Sequence, residues 1–267
     1  MTVMVRHRGV DTNTPNVARI YDYWLGGKDN FAADRAAADK VSEIVPEARA
    51  TARANRDFLG RVVRFLAKSG IRQFIDLGTG LPTQANVHEV AQEIVPDPRV
   101  VYVDRDPVVV VHGQALLHAV DKTVIIEADV REPEKVLEHH ELRALIDFDE
   151  PVAVLMVGIL HFITDEENPY RIVARFRDAM APGGYVAICH VTGDPRPSAV
   201  GPVTEVYSQA TAPMVPRSHD QIRRLFDGFE PVEPGVVYAP HWRPEWTVPP
   251  TDSGTSFVLA GVGRKRA

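Results

Sequence analysis

The sequence predicts an α/β fold of the Rossmann-like type, a mostly parallel sheet with helices on both faces, and three observations carry that prediction. Gln73-Phe74-Ile75-Asp76-Leu77 is largely apolar and runs into Gly78-Thr79-Gly80, after which Val87, Val90, Ala91 and Ile94 recur at helical spacing. A second apolar run, Arg99-Val100-Val101-Tyr102-Val103, ends in Asp104, 24 residues beyond Gly80. Pro151 to Gly158 is continuously apolar, as a strand covered on both faces must be.

The first stretch reads as strand, tight turn and helix, with Thr83 where an N-cap belongs. Glycine lets the turn take φ > 0 and lets a ligand come close. The helix start offers unpaired N–H groups and a partial positive charge. Alone, a Gly-x-Gly suits a plain β-turn-α connection as well as a ligand site. An acidic residue at the end of the next strand suits two ribose hydroxyls, and the pair points to a ligand with an adenosine half. The third glycine of a dinucleotide fingerprint falls here at Thr83, preceded by Pro82, where a pyrophosphate needs the backbone to pass closely. A ligand without phosphates is therefore favoured over NAD. At this point the chain resembles the class I S-adenosylmethionine-dependent methyltransferases. Their first motif is matched by Ile75-Asp76-Leu77-Gly78-Thr79-Gly80 and their acidic second motif by Asp104. The resemblance implies a seven-stranded sheet with an antiparallel C-terminal edge, and S-adenosyl-L-methionine as cofactor.

With 267 residues the chain fits one α/β domain plus extensions. An apolar share of 45% and a charged share of 25% are ordinary for a globular protein. A net charge of −6 argues against a general nucleic-acid binder, and Arg264-Lys265-Arg266 is too short a basic run to change that. Cys189 is the single cysteine, so no intrachain disulfide forms. The N-terminus lacks the apolar core of a signal peptide, and the run from Val152 to Leu160 is too short to span a membrane. The cytoplasm is the expected location.

Residues 1 to about 14 are polar and irregular. A short helix follows, with Val17, Ile20, Tyr21 and Trp24 on one face, and breaks at Gly26-Gly27. Aromatic residues and a flexible turn followed by Lys28, Asp29 and Asn30 suit a lid over a ligand. A helix packed on the core with a glycine C-cap explains the same residues. The stretch from Ala18 to Phe31 resembles the opening signature of an actinomycete family of S-adenosyl methyltransferases. That resemblance implies that the segment closes over the cofactor, and it carries Tyr21, Tyr23, Gly26, Gly27 and Lys28 into the cofactor-binding set. Ala32 to Val45 and Arg53 to Lys68 read as helices, the second burying Phe58, Leu59, Val62, Val63, Phe65 and Leu66. Its arginines form a solvated face, although Asn55 and Arg56 can reach a cofactor carboxylate. These helices make residues 1–69 a helical N-terminal cap on a cofactor-binding domain of residues 70–267.

Asp106-Pro107 opens a helix whose buried face is expected at Val108, Val111, Ala115 and Leu116. His112 and His118 lie on different sides of it and form no metal pair. The third strand, Thr123 to Ala128, ends in Asp129-Val130. A carboxylate there can accept from the adenine amino group or cap a helix. Adjacent residues do not share a helix face, so Glu138-His139-His140-Glu141 is not a metal site. Beyond the central strand, Gly158-Ile159-Leu160-His161-Phe162 falls where open α/β sheets bind ligands. Leu160 is thus near the adenine and His161 near the reacting methyl group, with a capping role for His161 also open. Thr164-Asp165-Glu166-Glu167 reads as a capping box opening a helix through Met180, followed by Pro182-Gly183-Gly184 and a strand from Tyr185 to Val191. Residues 192–217 read as a long loop on the substrate side, with Tyr207 and Met214 as contacts. A second capping box, Ser218 to Gln221, precedes strands near Val232–Tyr238 and Ser256–Val262, with an aromatic loop Pro240–Trp246 between them.

The expected activity is transfer of a methyl group to a small-molecule acceptor. Asp104 would hold the ribose, Gly78 and Gly80 the amino-acid end, and Asp129 the adenine. Asp76, Thr79, Arg105, Val130, Gly158 and Leu160 complete the set, with His161 as the catalytic candidate. A non-catalytic S-adenosylmethionine sensor and an NAD-dependent oxidoreductase are the alternatives.

Overall fold

A computed structural model describes residues 10–82, 86–245 and 256–266. Its sheet runs in the order β3 (Thr123–Glu127), β2 (Arg99–Asp104), β1 (Gln73–Leu77), β4 (Ala153–Val157), β5 (Tyr185–Val191), β8 (Val258–Arg264) and β6 (Glu230–Pro231), and β7 (Val237–Tyr238) also pairs with β8. The first five are mutually parallel and β8 is antiparallel to β5. Eight strands replace the expected seven because the Val232–Tyr238 stretch contains Pro234-Gly235, which interrupts the ladder. Pro231 opposes Gly263 and Val237 opposes Ala260, so three extra residues bulge out between the two pieces.

Side chains alternate across the sheet. Phe74, Val100, Tyr102, Leu155 and Ala187 face a core shared with α3 (Ala48–Lys68), α4 (Val87–Gln92) and α5 (Pro107–Leu117). On that face Trp242 meets Phe58 and Phe65 edge-on at 5.3 and 5.6 Å. Ile75, Val101, Val154 and Met156 face the other core with α6 (Pro133–Glu138), α7 (His140–Leu145), α8 (Pro169–Ala179) and α10 (His219–Arg224). A third cluster joins α1 (Val17–Leu25) and α2 (Ala32–Ile44) to α9 (Pro197–Ser208). No helix among the described residues is long and apolar enough to cross a membrane.

Four local expectations change. The N-cap of α4 is Asn86, boxed with Glu89, while Thr83 lies outside the described residues. α5 buries Val109, Val110 and Gly113 and leaves Val111 and Leu116 exposed. Its run of valines fixes no phase; the close approach of Gly113 does, since a Cβ there would lie 2.5 Å from Ile125. The Thr164–Glu167 box closes, but α8 starts only at Pro169 because a residue before proline resists the helical conformation. Residues 192–217 are not all loop: α9 forms there on Pro197 at N1, with Ala199, Val203, Val206 and Tyr207 buried at helical spacing.

Candidate functional site

The C-terminal ends of the parallel strands open into a cavity of about 710 Å³. At its floor the chain turns after β1. Gly78 has φ +73°, and a Cβ on it would lie 2.6 Å from the Ile159 side chain, so the bend both requires glycine and fits closely. Gly80 has φ +65°. Its N–H donates to Asp104 Oδ2 at 2.9 Å, and the Asp106 N–H donates to Asp104 Oδ1 at 2.9 Å. The end of β2 is thereby locked to the glycine bend. Burial raises the Asp104 carboxyl above the usual range, against the pull of those N–H donors. Asp76, one turn of chain below, is 5% exposed, and burial pushes it up to about 6.

After β3, Asp129 accepts from the Arg131 guanidinium at 2.9 Å, and Arg131 also donates to Glu167 at 2.8 Å. Burial would raise the Asp129 carboxyl, but its hydrogen bonds to Arg131 outweigh that and hold it low. Asp129 Oδ1 also accepts from the Arg131 backbone N–H, a local turn contact.

At the end of β4, a 3₁₀ turn carries Leu160, His161 and Phe162. Beneath it lies Arg217, 1% exposed, donating to Leu160 O, Ile163 O, His190 Nε2 and Asp165 Oδ1. His190 Nδ1 donates to Val191 O, so its ring is neutral with Nε2 as acceptor. Burial first, then His190 and the Arg217 charge, keep His161 well below its ordinary pKa, and it lines the cavity as a neutral imidazole.

Of the expected site residues, Tyr21, Asp76, Gly78, Thr79, Gly80, Asp104, Arg105, Asp129, Val130, Gly158 and His161 border this cavity. So do Asn55, Arg56, Tyr207 and Met214. Leu160 does not; it is fully buried in the core beneath. Tyr23, Gly26, Gly27 and Lys28 do not border it either. Tyr23 lies under Arg49 and donates to Asp39. Gly26 caps α1 in the left-handed conformation. Gly27 passes so close over Asp22 that a Cβ would meet its carboxylate at 1.8 Å, and Lys28 is exposed. Asp22 gathers this turn, accepting from Asp29 N and Asn30 Nδ2.

The sequence reading missed Asn16, whose amide reaches Asp106 and ties α1 to the end of β2. It also missed Arg19, which is 2.7 Å from the buried Asp34. Their only local signal is the Asn16 N-cap.

A parallel sheet with an antiparallel β8, and a glycine bend bonded to the acidic end of β2, define the class I S-adenosylmethionine-dependent methyltransferases. The sequence profile of the S-adenosyl methyltransferase family matches residues 4–266, and the chain belongs to that family. Its cofactor is S-adenosyl-L-methionine. A Thermobifida fusca protein described as a candidate methyltransferase is 44% identical, with a TM-score of 0.92 over 99% of this chain and 100% of that one. A DUF574 family protein from Streptomyces avermitilis is 40% identical, with a TM-score of 0.91 over 96% of this chain and 99% of the other. The N-methyltransferase NodS of Bradyrhizobium japonicum shares the fold at 12% identity, with a TM-score of 0.51 over 80% of this chain and 98% of that one. No functionally curated protein matches the chain.

Proposed function

We propose that this methyltransferase transfers the methyl group in line to a small-molecule acceptor, with the cofactor held along the ends of β1, β2 and β3. The observation that carries this reading is the 2.9 Å bond from Gly80 N to Asp104, which joins an acidic strand end to a bend open to close approach. Asp104 takes the ribose hydroxyls and Asp129, with Val130, the adenine. Asp76, Gly78, Thr79 and Gly80 frame the amino-acid end, near Asn55, Arg56 and Gly158. Arg105, 3.7 Å from Asp129, closes the adenine side. Residues 1–69 act as a helical cap on the unit of residues 70–267. In that cap Tyr21 faces the ligand, while Tyr23, Gly26, Gly27 and Lys28 shape the turn behind it.

When bound, S-adenosylmethionine supplies an electrophilic methyl group on a sulfonium, which leaves the sulfur as a thioether. The chain mainly aligns the reactants, which is catalysis by proximity. His161, neutral at the end of β4, accepts the proton that the acceptor nucleophile sheds as it gains the methyl group. A weak base suffices, because that proton becomes far more acidic as the new bond forms.

Replacing Asp104 by Asn removes the carboxylate and leaves one oxygen for the two N–H groups of Gly80 and Asp106. Titration calorimetry with S-adenosylhomocysteine is expected to show at least tenfold weaker binding, about 1–3 kcal/mol for lost charged hydrogen bonds. Unchanged affinity would remove Asp104 from the ribose.

A further inference from the structure

The cavity continues past the end of β1 over β4, β5 and β8, and its chemistry changes on the way. We propose that the acceptor is a neutral, largely apolar ring compound bearing one hydrogen-bond donor, seated there between α9 and the α1–α2 layer. This rests on the methyltransferase reading above.

Position separates the two ends. Neighbouring strands lie about 4.8 Å apart, so β5 is roughly 10 Å from β1. Most of the groups assigned to the cofactor stand at the ends of β1, β2 and β3, with Gly158 after β4 and Tyr21 on α1. The far walls come from other elements. α9 presents Ala199, Val200, Val203 and Tyr207 to the cavity, α2 presents Val41 and its C-cap Val45, and Phe257 leads into β8. None of these is charged. The ionised side chains that border the cavity stand by the glycine bend and strand ends, or are committed elsewhere: Asp11 to the backbone N–H groups of Asn13 and Thr14, Arg19 to Asp34, and Arg196 to Glu47 at 2.7 Å. A charged acceptor on the far walls would lose its hydration without gaining a partner. Trp24, Phe162, Tyr207 and Phe257 supply aromatic surface suited to a flat ring. The cavity of about 710 Å³ is shared between the cofactor and this chamber, so the acceptor takes only part of a volume typical of small-molecule sites.

The donor follows from two buried atoms. Tyr21 OH donates to Ala52 O, so its lone pair accepts from Asn55 Nδ2 at 2.9 Å. That fixes the amide and leaves Asn55 Oδ1 buried without a partner; His161 Nδ1 is in the same condition. Both residues border the cavity. His161 Nδ1 accepts when the imidazole proton sits on Nε2, and a ligand O–H or N–H then satisfies it. Asn55 Oδ1, beside Gly158 at the cofactor's amino-acid end, takes a donor from either ligand, and the acceptor's donor is the nucleophile. It forms its bond to the methyl carbon as the carbon–sulfur bond breaks, and its proton passes to the histidine and then to solvent.

The test titrates three naphthalenes into the full-length protein saturated with S-adenosylhomocysteine. 2-Naphthol is expected to bind at least tenfold tighter than 2-methoxynaphthalene, which lacks the donor, and than naphthalene-2-sulfonate, which is charged. Val203→Trp and Val45→Trp fill the chamber from two helices, α9 and the end of α2. Each is expected to weaken 2-naphthol at least tenfold while S-adenosylhomocysteine affinity stays within twofold. If either variant loses the nucleoside as well, the three-ligand comparison on the wild-type protein decides. Absent 2-naphthol binding, equal binding of either analogue, or indifference to both fillings overturns the proposal. Failure of the wild-type protein to bind S-adenosylhomocysteine overturns the cofactor reading instead.

Discussion

Asp76 is the residue whose environment has the plainest consequence. Burial lifts its carboxyl from an ordinary 3.8 to about 6, partly offset by Arg56. The native state therefore holds this proton to higher pH than the unfolded chain does. Between about pH 4 and pH 6 the native state binds more protons, so its stability falls as pH rises, and the effect levels off above about 6. The full effect is roughly 3 kcal/mol at most, from a shift of about two pH units. Asp76→Asn removes it. Thermal melts across that range are expected to show the variant gaining on the wild type up to about pH 6 and then holding level. A difference that is flat throughout would mean Asp76 titrates normally in the fold. At this scale the sequence was most legible where the geometry is local. Gly78, Gly80 and Asp104 follow from spacing along two adjacent strands. Arg217 was invisible because its partners, Leu160 and His190, lie 57 and 27 positions away.

Among elements, the five parallel strands were read within a residue or two because each is an apolar run bounded by turns, whereas the expected strand near Val232–Tyr238 is split into β6 and β7. Helix faces were harder. The phase of α5 is set by a glycine approaching β3, which no periodicity in a valine run records. α9 hid in a segment rich in proline and glycine, whose composition outweighed its spaced apolar residues. The 3₁₀ turn after β4 is the element on which the catalytic proposal stands, and Arg217 holds it from below. The planar guanidinium spans two backbone carbonyls and a histidine at once, which an ammonium cannot do. Arg217→Met leaves Ile163 O and His190 Nε2 buried without their donor, at about 1–3 kcal/mol each, while Leu160 O keeps only the Ile163 N–H. Urea unfolding is expected to show a loss of about 3 kcal/mol or more, with Arg217→Lys recovering only part. A variant within about 0.5 kcal/mol of wild type would mean that water replaces the guanidinium and the turn does not depend on it.

For the whole molecule, a mostly parallel sheet with an antiparallel C-terminal edge followed from the family resemblance, while the layering of the N-terminal helices did not follow from their sequences. α3 lies within residues 1–69, yet it packs in one core with β1 and β2. Phe58, Val62, Val63 and Leu66 are each fully buried, and burial of such side chains contributes about 1.5–3 kcal/mol apiece. Together this is on the order of 6–12 kcal/mol, comparable with the entire stability of a typical domain. α1 and α2 differ, because they join α9 in the third cluster and wall the cavity from above. The cap thus divides at the start of α3. A chain beginning at residue 70 is expected to give no cooperative thermal transition. A chain beginning at residue 46 keeps α3 and the Glu47–Arg196 pair, and should melt cooperatively at a lower temperature. It should bind S-adenosylhomocysteine at least tenfold more weakly, because Asn16 no longer reaches Asp106 and Tyr21 no longer faces the cavity. Cooperative folding of the shorter chain would show that the sheet closes its core without α3. Undiminished affinity in the longer one would show that the cap is not part of the nucleoside site.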